Sequence, residues 1–130
     1  MGEKMTDYLA SFTVPGQLPS MKNRRRIVGT KRGRPMLIKS ADAMTYEQVF
    51  LAAVPAKARI GYEGPVSVKA RIWYQSRRSD LSAEFLFDLL QKAGVILNDR
   101  QVQHLEAWKG LDPEMPRVHL TVFPYEGGHQ

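Results

Sequence analysis

Four carboxylates within a short stretch carry the strongest chemical signal in this chain: Asp80, Glu84, Asp88 and Asp99. The first three follow one another at i+4, so on a helix they share one side. Like charges at that spacing disfavour an isolated helix by about 0.2–0.5 kcal/mol. One explanation is a helix with a wet acidic face and Asp80 as its N-cap. The other is a cation held between carboxylates, and for Asp80 and Asp99 it gains weight because both fall at element ends, where binding groups collect. A helix from Asp80 to Gly94 advances about 21 Å, and an extended segment from Gly94 to Asp99 recovers about 17 Å. If Val95–Leu97 runs antiparallel to the helix, Asp99 returns to Asp80. The chain has no cysteine, and His104, His119 and His129 include no i,i+4 pair. Such a site would therefore hold a hard cation on oxygen, magnesium or alternatively manganese. A metal so held generates hydroxide near neutral pH and neutralises charge on attacking and leaving oxygens, which is what phosphodiester hydrolysis needs. Arg77 and Arg78, just before Asp80, are placed to neutralise a phosphate or are ordinary surface arginines.

A polyanionic partner is also suggested by charge. The formal net charge is +6 and the isoelectric point about 9.8. From Lys22 to Lys39 the basic residues Lys22, Arg24, Arg25, Arg26, Lys31, Arg32, Arg34 and Lys39 occur with no acidic one. Solvated faces normally mix signs, so this segment, with Asn23 inside it, reads as a phosphate-binding surface for nucleic acid.

Elements must hold these groups in place. Residues 8–14 alternate as a first strand, ended by Pro15, Gly16 and Pro19. Ser20 to Pro35 has glycines and no apolar period, and is expected to be a basic loop or arm over about 20–35; Met36 to Ile38 makes a short strand. A first helix opens at Ser40 or Asp42 and presents Ala43, Tyr46, Val49, Phe50 and Ala53 on one face up to Pro55. Residues 66–74 set Val66, Val68, Ala70, Ile72 and Tyr74 against Ser67, Lys69, Arg71 and Trp73, the clearest strand of the chain. A second helix spans about Leu81 to Ala93, burying Phe85, Leu86, Leu89, Leu90 and Ala93, with Gly94 as its left-handed terminus. Phe87 points nearly opposite Phe85, so one of the two should lie outside the monomer's core. Val95–Leu97, Val102–Ala107 and Val118–Phe123 read as further strands, the last two pairing across Gly110–Pro116. The tail from about 125 is expected to fray. The sum is a single α+β domain, a mixed sheet packed with two main helices. Trp73, Tyr74 and Trp108 could stack on bases, but aromatics in or beside strands are more often core.

Taken together, Ser79-Asp80-Leu81, Phe87-Asp88-Leu89-Leu90-Gln91-Lys92-Ala93-Gly94 and Asn98-Asp99-Arg100-Gln101-Val102 resemble the RusA-like Holliday junction resolvases of bacteria and their phages. Val14-Pro15-Gly16, Pro19-Ser20 and Asn23 resemble that family's opening P-x-x-P-S-x-N, and Ile38-Lys39-Ser40 with Tyr46 its approach to the first helix. The likeness covers roughly Phe12 to Val122, and the D-R-Q-V end is its most specific piece. It implies a magnesium-dependent endonuclease that cuts four-way DNA junctions in recombination and repair, acts as a homodimer, and holds its metal through Asp80 and Asp99. The pattern departs at Ser82 and Asn98, where the family has aspartates, at Ala83, where it has asparagine, and in a family lysine without a match, Lys92 belonging to the turn. Glu84, one turn from Asp80, is the substitute for the missing carboxylate.

The expected partners are branched DNA and a second copy of the chain. The competing readings are a catalytically weakened DNA-binding protein of the same fold and an unrelated basic RNA-binding protein. No apolar run reaches 18 residues and MGEKMTDYLA lacks a signal-peptide core. With no cysteine to favour an oxidising compartment, a cytoplasmic protein without membrane contact or small-molecule cofactor is expected.

Overall fold

The computed structural model describes residues 8–19, 25–31, 34–39, 41–76 and 83–126, of 25–31 and 34–39 the backbone alone. Its elements are β1 (Ala10–Pro15), β2 (Arg25–Lys31), β3 (Arg34–Lys39), α1 (Ala41–Ala53), β4 (Val66–Tyr74), α2 (Glu84–Lys92), β5 (Val102–Leu111) and β6 (Arg117–Pro124). Short 3-10 turns occupy Ala56–Ala58 and Asp99–Gln101. The domain is α+β: a four-stranded mixed sheet in the order β1-β6-β4-β5, with two helices and a separate β2–β3 hairpin. No helix among the described residues is long and apolar enough to cross a membrane.

Strand β4 organises the sheet. Its strict alternation buries Val66, Val68, Ala70, Ile72 and Tyr74 and turns Ser67, Lys69, Arg71 and Trp73 to the other face. It pairs antiparallel with β6 on one side and parallel with β5 on the other. Parallel neighbours need a crossover, which α2 supplies. β1 completes the sheet antiparallel to β6. The buried face carries Ala10, Phe12, Val14, Val118, Leu120 and Val122 beside the β4 residues, and the helices cover it. α1 contributes Ala43, Tyr46 and Phe50, the last edge-on to Phe12 at 5.7 Å between ring centres. α2 contributes Phe85, Leu86, Leu89 and Leu90 and ends at Ala93, followed by Gly94 at φ +82°, a conformation that favours glycine. Phe85 is buried while Phe87 is only half-buried, packed at the rim of the core.

Several expectations are corrected. The basic segment is not simply a loop, because β2 and β3 form an antiparallel hairpin within it. Cross-strand register sets Ile27 opposite Leu37 and Val28 opposite Met36. The register shifts between Val28 and Thr30, at Gly29, so a bulge hides the period in the linear sequence. Val95–Leu97 is not a strand either: only Ile96 makes an isolated parallel bridge, to Tyr62. β5 and β6 do not pair with each other, since β4 lies between them. Asp42 stands inside the first turn of α1, not at its cap. Of the three aromatics expected in the core only Tyr74 is there. Trp73 is half-buried on the other face and Trp108 is 42% exposed. The expected helix start at Leu81, the cap candidate Ser40 and the end of the C-terminal tail lie outside the described residues.

The face of the sheet away from the helices bears three cation–ring contacts. Arg117 lies 4.0 Å from the Trp73 ring centre, Arg71 5.1 Å from that of Trp108, and Lys69 5.2 Å from that of Phe123. Gly110 makes room for the first of these, because a Cβ there would approach Trp73 Cδ1 to 2.7 Å. Gly110→Ala is expected to displace the Trp73 ring from Arg117 and destabilise the domain by about 1–3 kcal/mol. Chemical denaturation followed by tryptophan fluorescence measures this, and an unchanged midpoint would show that the ring yields freely.

Candidate active site and nucleic-acid interface

Asp99 is the sequence-predicted site residue whose position is best defined. It opens the 3-10 turn that leads into β5, so it stands at the Val66 end of the parallel β4–β5 pair. Side-chain amides hold the turn. Asn98 Oδ1 accepts from the Arg100 N–H at 2.8 Å, and Gln101 Oε1 accepts from the Leu97 and Asn98 N–H groups, each at 2.8 Å. Gln101 Nε2 donates to the Tyr62 carbonyl at 2.8 Å and to that of Gly64 at 2.7 Å. One glutamine thereby closes a capping box and fastens the turn to the 62–64 loop. Asp99 itself donates its N–H to Gln91 Oε1 at 2.9 Å, which ties it to the last turn of α2.

That tie decides which acids of α2 can approach Asp99. Glu84, Asp88 and Gln91 follow one stripe of the helix. Asp88 lies about 4.5 Å from Gln91 along the axis and Glu84 about 10.5 Å. The helix therefore brings Asp88, more than Glu84, to the level of Asp99. Gly94 to Asn98 do not run back along α2. The Gly61 N–H donates to the Gly94 carbonyl and the Tyr62 N–H to that of Val95, at 2.8 and 3.0 Å, so the segment stays beside residues 61–64. The return along the domain is made by β5, after Asp99.

Asp80, Arg77, Arg78 and Ser82 lie outside the described residues. Among the described residues no group of three Asp, Glu, His or Cys side chains is gathered to hold a metal. Asp99 therefore stands by the C-terminal end of α2, with Asp88 nearest its level, and the expected route back to the N-terminal end through Val95–Leu97 is not made.

Of the expected DNA-binding residues, Asn23, Arg24 and Arg32 lie outside the described residues, while Arg25, Arg26, Lys31 and Arg34 stand on the hairpin. Its register opposes Arg25 to Lys39 and Lys31 to Arg34. Like charges directly opposite each other are destabilising. Between the turn after β1, the start of α1 and the end of β4, a cleft of about 550 Å³ is lined by Gln17, Pro19, Asp42, Thr45, Tyr46 and Gln75, among others. The Gln75 N–H donates to Gln17 Oε1 at 2.7 Å, linking the β1 turn to the end of β4. The Tyr46 hydroxyl is buried and has no hydrogen-bond partner among the described residues, and burial, aided by nearby Tyr74, pushes its pKa well above the ordinary tyrosine range.

Sequence reasoning missed Gln91 and Gln101 as positioning groups. Gln101 was visible only as one letter of D-R-Q-V; its spacing of three from Asn98 was the capping-box signal. No known protein-family model matches the chain, and no curated protein matches it either.

Asn98→Ala is expected to cost about 1 kcal/mol of stability, as loss of an N-cap does, and Gln101→Ala more, since it strands two carbonyls and two N–H groups. Thermal melts of both variants test the ordering; equal, negligible losses would show that the turn is held by β5 alone.

Proposed function

We propose that this protein is a divalent-metal-dependent endonuclease of branched DNA, of the RusA-like type, that resolves four-way junctions as a homodimer. The observation that carries the reading is the β2–β3 hairpin, a basic element whose register opposes cation to cation with no acid to balance them. A phosphate backbone supplies the missing charge without sequence readout. The acids are the second part of the reading. Asp99, fixed by Gln91 and Gln101, and Asp80 are the ligands assigned to magnesium or manganese, with an acid of α2 completing the set. Glu84 follows from its nearness to Asp80 in sequence, and Asp88 from the level of Asp99. A divalent ion held there would supply the Lewis-acid chemistry that phosphodiester hydrolysis needs. Arg77 and Arg78 neutralise the phosphate being cut, and the hairpin holds the arms of the junction.

A second reading, a DNA-binding protein with weakened catalysis, is favoured by one observation. At the position of the family's first paired aspartate, Asn98 carries no charge and its side chain is committed to capping the 3-10 turn.

Incubation of the protein with four-way and linear DNA, with magnesium, with manganese and with chelator, separates the two. The first reading expects metal-dependent cutting of the junction, lost by at least about 100-fold in Asp99→Asn while junction binding persists. Binding with no cutting under any metal favours the second reading, and equal affinity for linear and four-way DNA overturns junction selectivity in both.

Replacing Arg24, Arg25 and Arg26 together by alanine is expected to weaken binding to junction and linear DNA alike. The slope of log affinity against log salt should flatten by about three units at most. An unchanged slope would remove the hairpin from the interface.

A further inference from the structure

Among the described residues eight large apolar side chains are exposed, and three of them lie on one strand, β5, at the edge of the sheet. Leu105, Trp108 and Leu111 lie on β5 and are 40, 42 and 43% exposed. Leu97 precedes β5, Ile60 adjoins Leu97 through Gly61, and Met115 follows in the β5–β6 loop. β5 is the terminal strand of the sheet, ten residues long, and no strand pairs with its outer edge among the described residues. It contains no proline, and its register shift against β4 lies at its very start, opposite Val66 and Ser67. A long unpaired edge is a template for another strand, and proteins ordinarily blunt such edges with charge, proline or bulges; β5 carries Glu106 and Lys109 between its apolar residues, but neither a proline nor a bulge beyond its start.

We infer that β5 pairs antiparallel with β5 of a second copy of this chain, joining two four-stranded sheets into one of eight strands across a two-fold axis centred on Trp108. The assembly belongs to the reading above, but the surface and register come from β5 alone and the test involves no DNA.

The register follows from self-complementarity. A two-fold axis normal to the sheet keeps both open faces on the same side, so only residues of one face can oppose each other. Trp108 shares the open face with Arg71, whereas Leu105 and Leu111 are aligned with Val68 and Tyr74 on the helix side. With the axis at Trp108, that residue meets its own copy, a favourable aromatic pair. Leu105 meets Leu111 of the partner subunit twice over, and Glu106 faces Gly110 of the partner subunit. Centring on Ala107 would set Leu105 against Lys109 of the partner subunit. Centring on Glu106 would oppose two carboxylates, which is destabilising. Only the Trp108 register pairs every exposed apolar side chain of the strand with another.

Sedimentation at micromolar concentration should give a dimer without DNA, and a monomer overturns the inference. Leu105→Lys should dissociate the dimer, and Leu105→Lys combined with Leu111→Glu should restore it, because the register makes those two positions neighbours. Both substituted sites are exposed in the monomer, and circular dichroism checks that each variant folds. The chain has no cysteine, so single introduced thiols report distance directly. Trp108→Cys should be joined rapidly between copies by a short thiol-specific crosslinker, since opposed Cβ atoms lie about 4.5–5.5 Å apart. Glu106→Cys should react at least tenfold more slowly, its own copy lying about 14 Å away along the strands. Equal rates, or a dimer that survives Leu105→Lys, would place the contact elsewhere. Loss of nuclease activity with the dimer intact would leave this interface standing while overturning the catalytic reading.

Discussion

The fold depends on strand β4 being paired on both sides while only one of its faces is covered. Val66, Val68, Ala70, Ile72 and Tyr74 are buried by the helices, and a fully buried valine or isoleucine contributes roughly 1.5–3 kcal/mol. A one-residue slip would exchange these for Ser67, Lys69, Arg71 and Trp73, so the register is strongly specified. Everything chemical is then placed by β4's two ends. The parallel pairing with β5 obliges the chain to cross over through α2 before β5 can start. That puts Asp99 at the Val66 end and sends the chain towards residues 77–82 from the Tyr74 end.

The legible parts of the sequence were those in which a single period ran undisturbed. β4 was read to its exact limits because nine residues alternate without a break, and the buried face of α2 because Phe85, Leu86, Leu89, Leu90 and Ala93 repeat at helical spacing. Of the hairpin only Met36–Ile38, within β3, was legible as a strand; β2 was not, because Gly29 shifts its register and basic residues occupy positions where alternation would show. β5 was read short, ending at Ala107 instead of Leu111, because an edge strand exposes apolar residues on both faces and so lacks a clean pattern. Asp99 was recognised as a residue with a possible task. The amides that hold it were not, because Gln91 and Gln101 act through backbone partners brought close only by the crossover. Asp80, the other half of the candidate site, lies outside the described residues.

The two exposed surfaces of this sheet answer different physical problems. On the open face, cations are laid over rings, Arg117 on Trp73 and Arg71 on Trp108. This lets half-buried aromatics meet water through a charged layer. Asp112 adds to that order: its hydrogen bond from Arg117, at 2.8 Å, holds its carboxyl below the usual carboxylate range. The Arg117–Asp112 link is therefore complete at neutral pH, and its contribution is lost as pH falls through the lowered pKa. The open face is dressed for solvent or a polar partner.

The edges are treated unequally, and the inequality is informative. β1 is six residues long and ends in Pro15, which cannot donate to a further strand. β5 has ten residues, no proline, and leucines and tryptophan at its rim. A sheet that needed only to remain solitary would have no use for such asymmetry, since blunting one edge leaves the other just as able to recruit strands. A sheet that closes by pairing with itself needs one protected edge and one adhesive edge, because two adhesive edges would extend without limit. In the proposed dimer, the blunt β1 edge would make assembly through β5 stop at two.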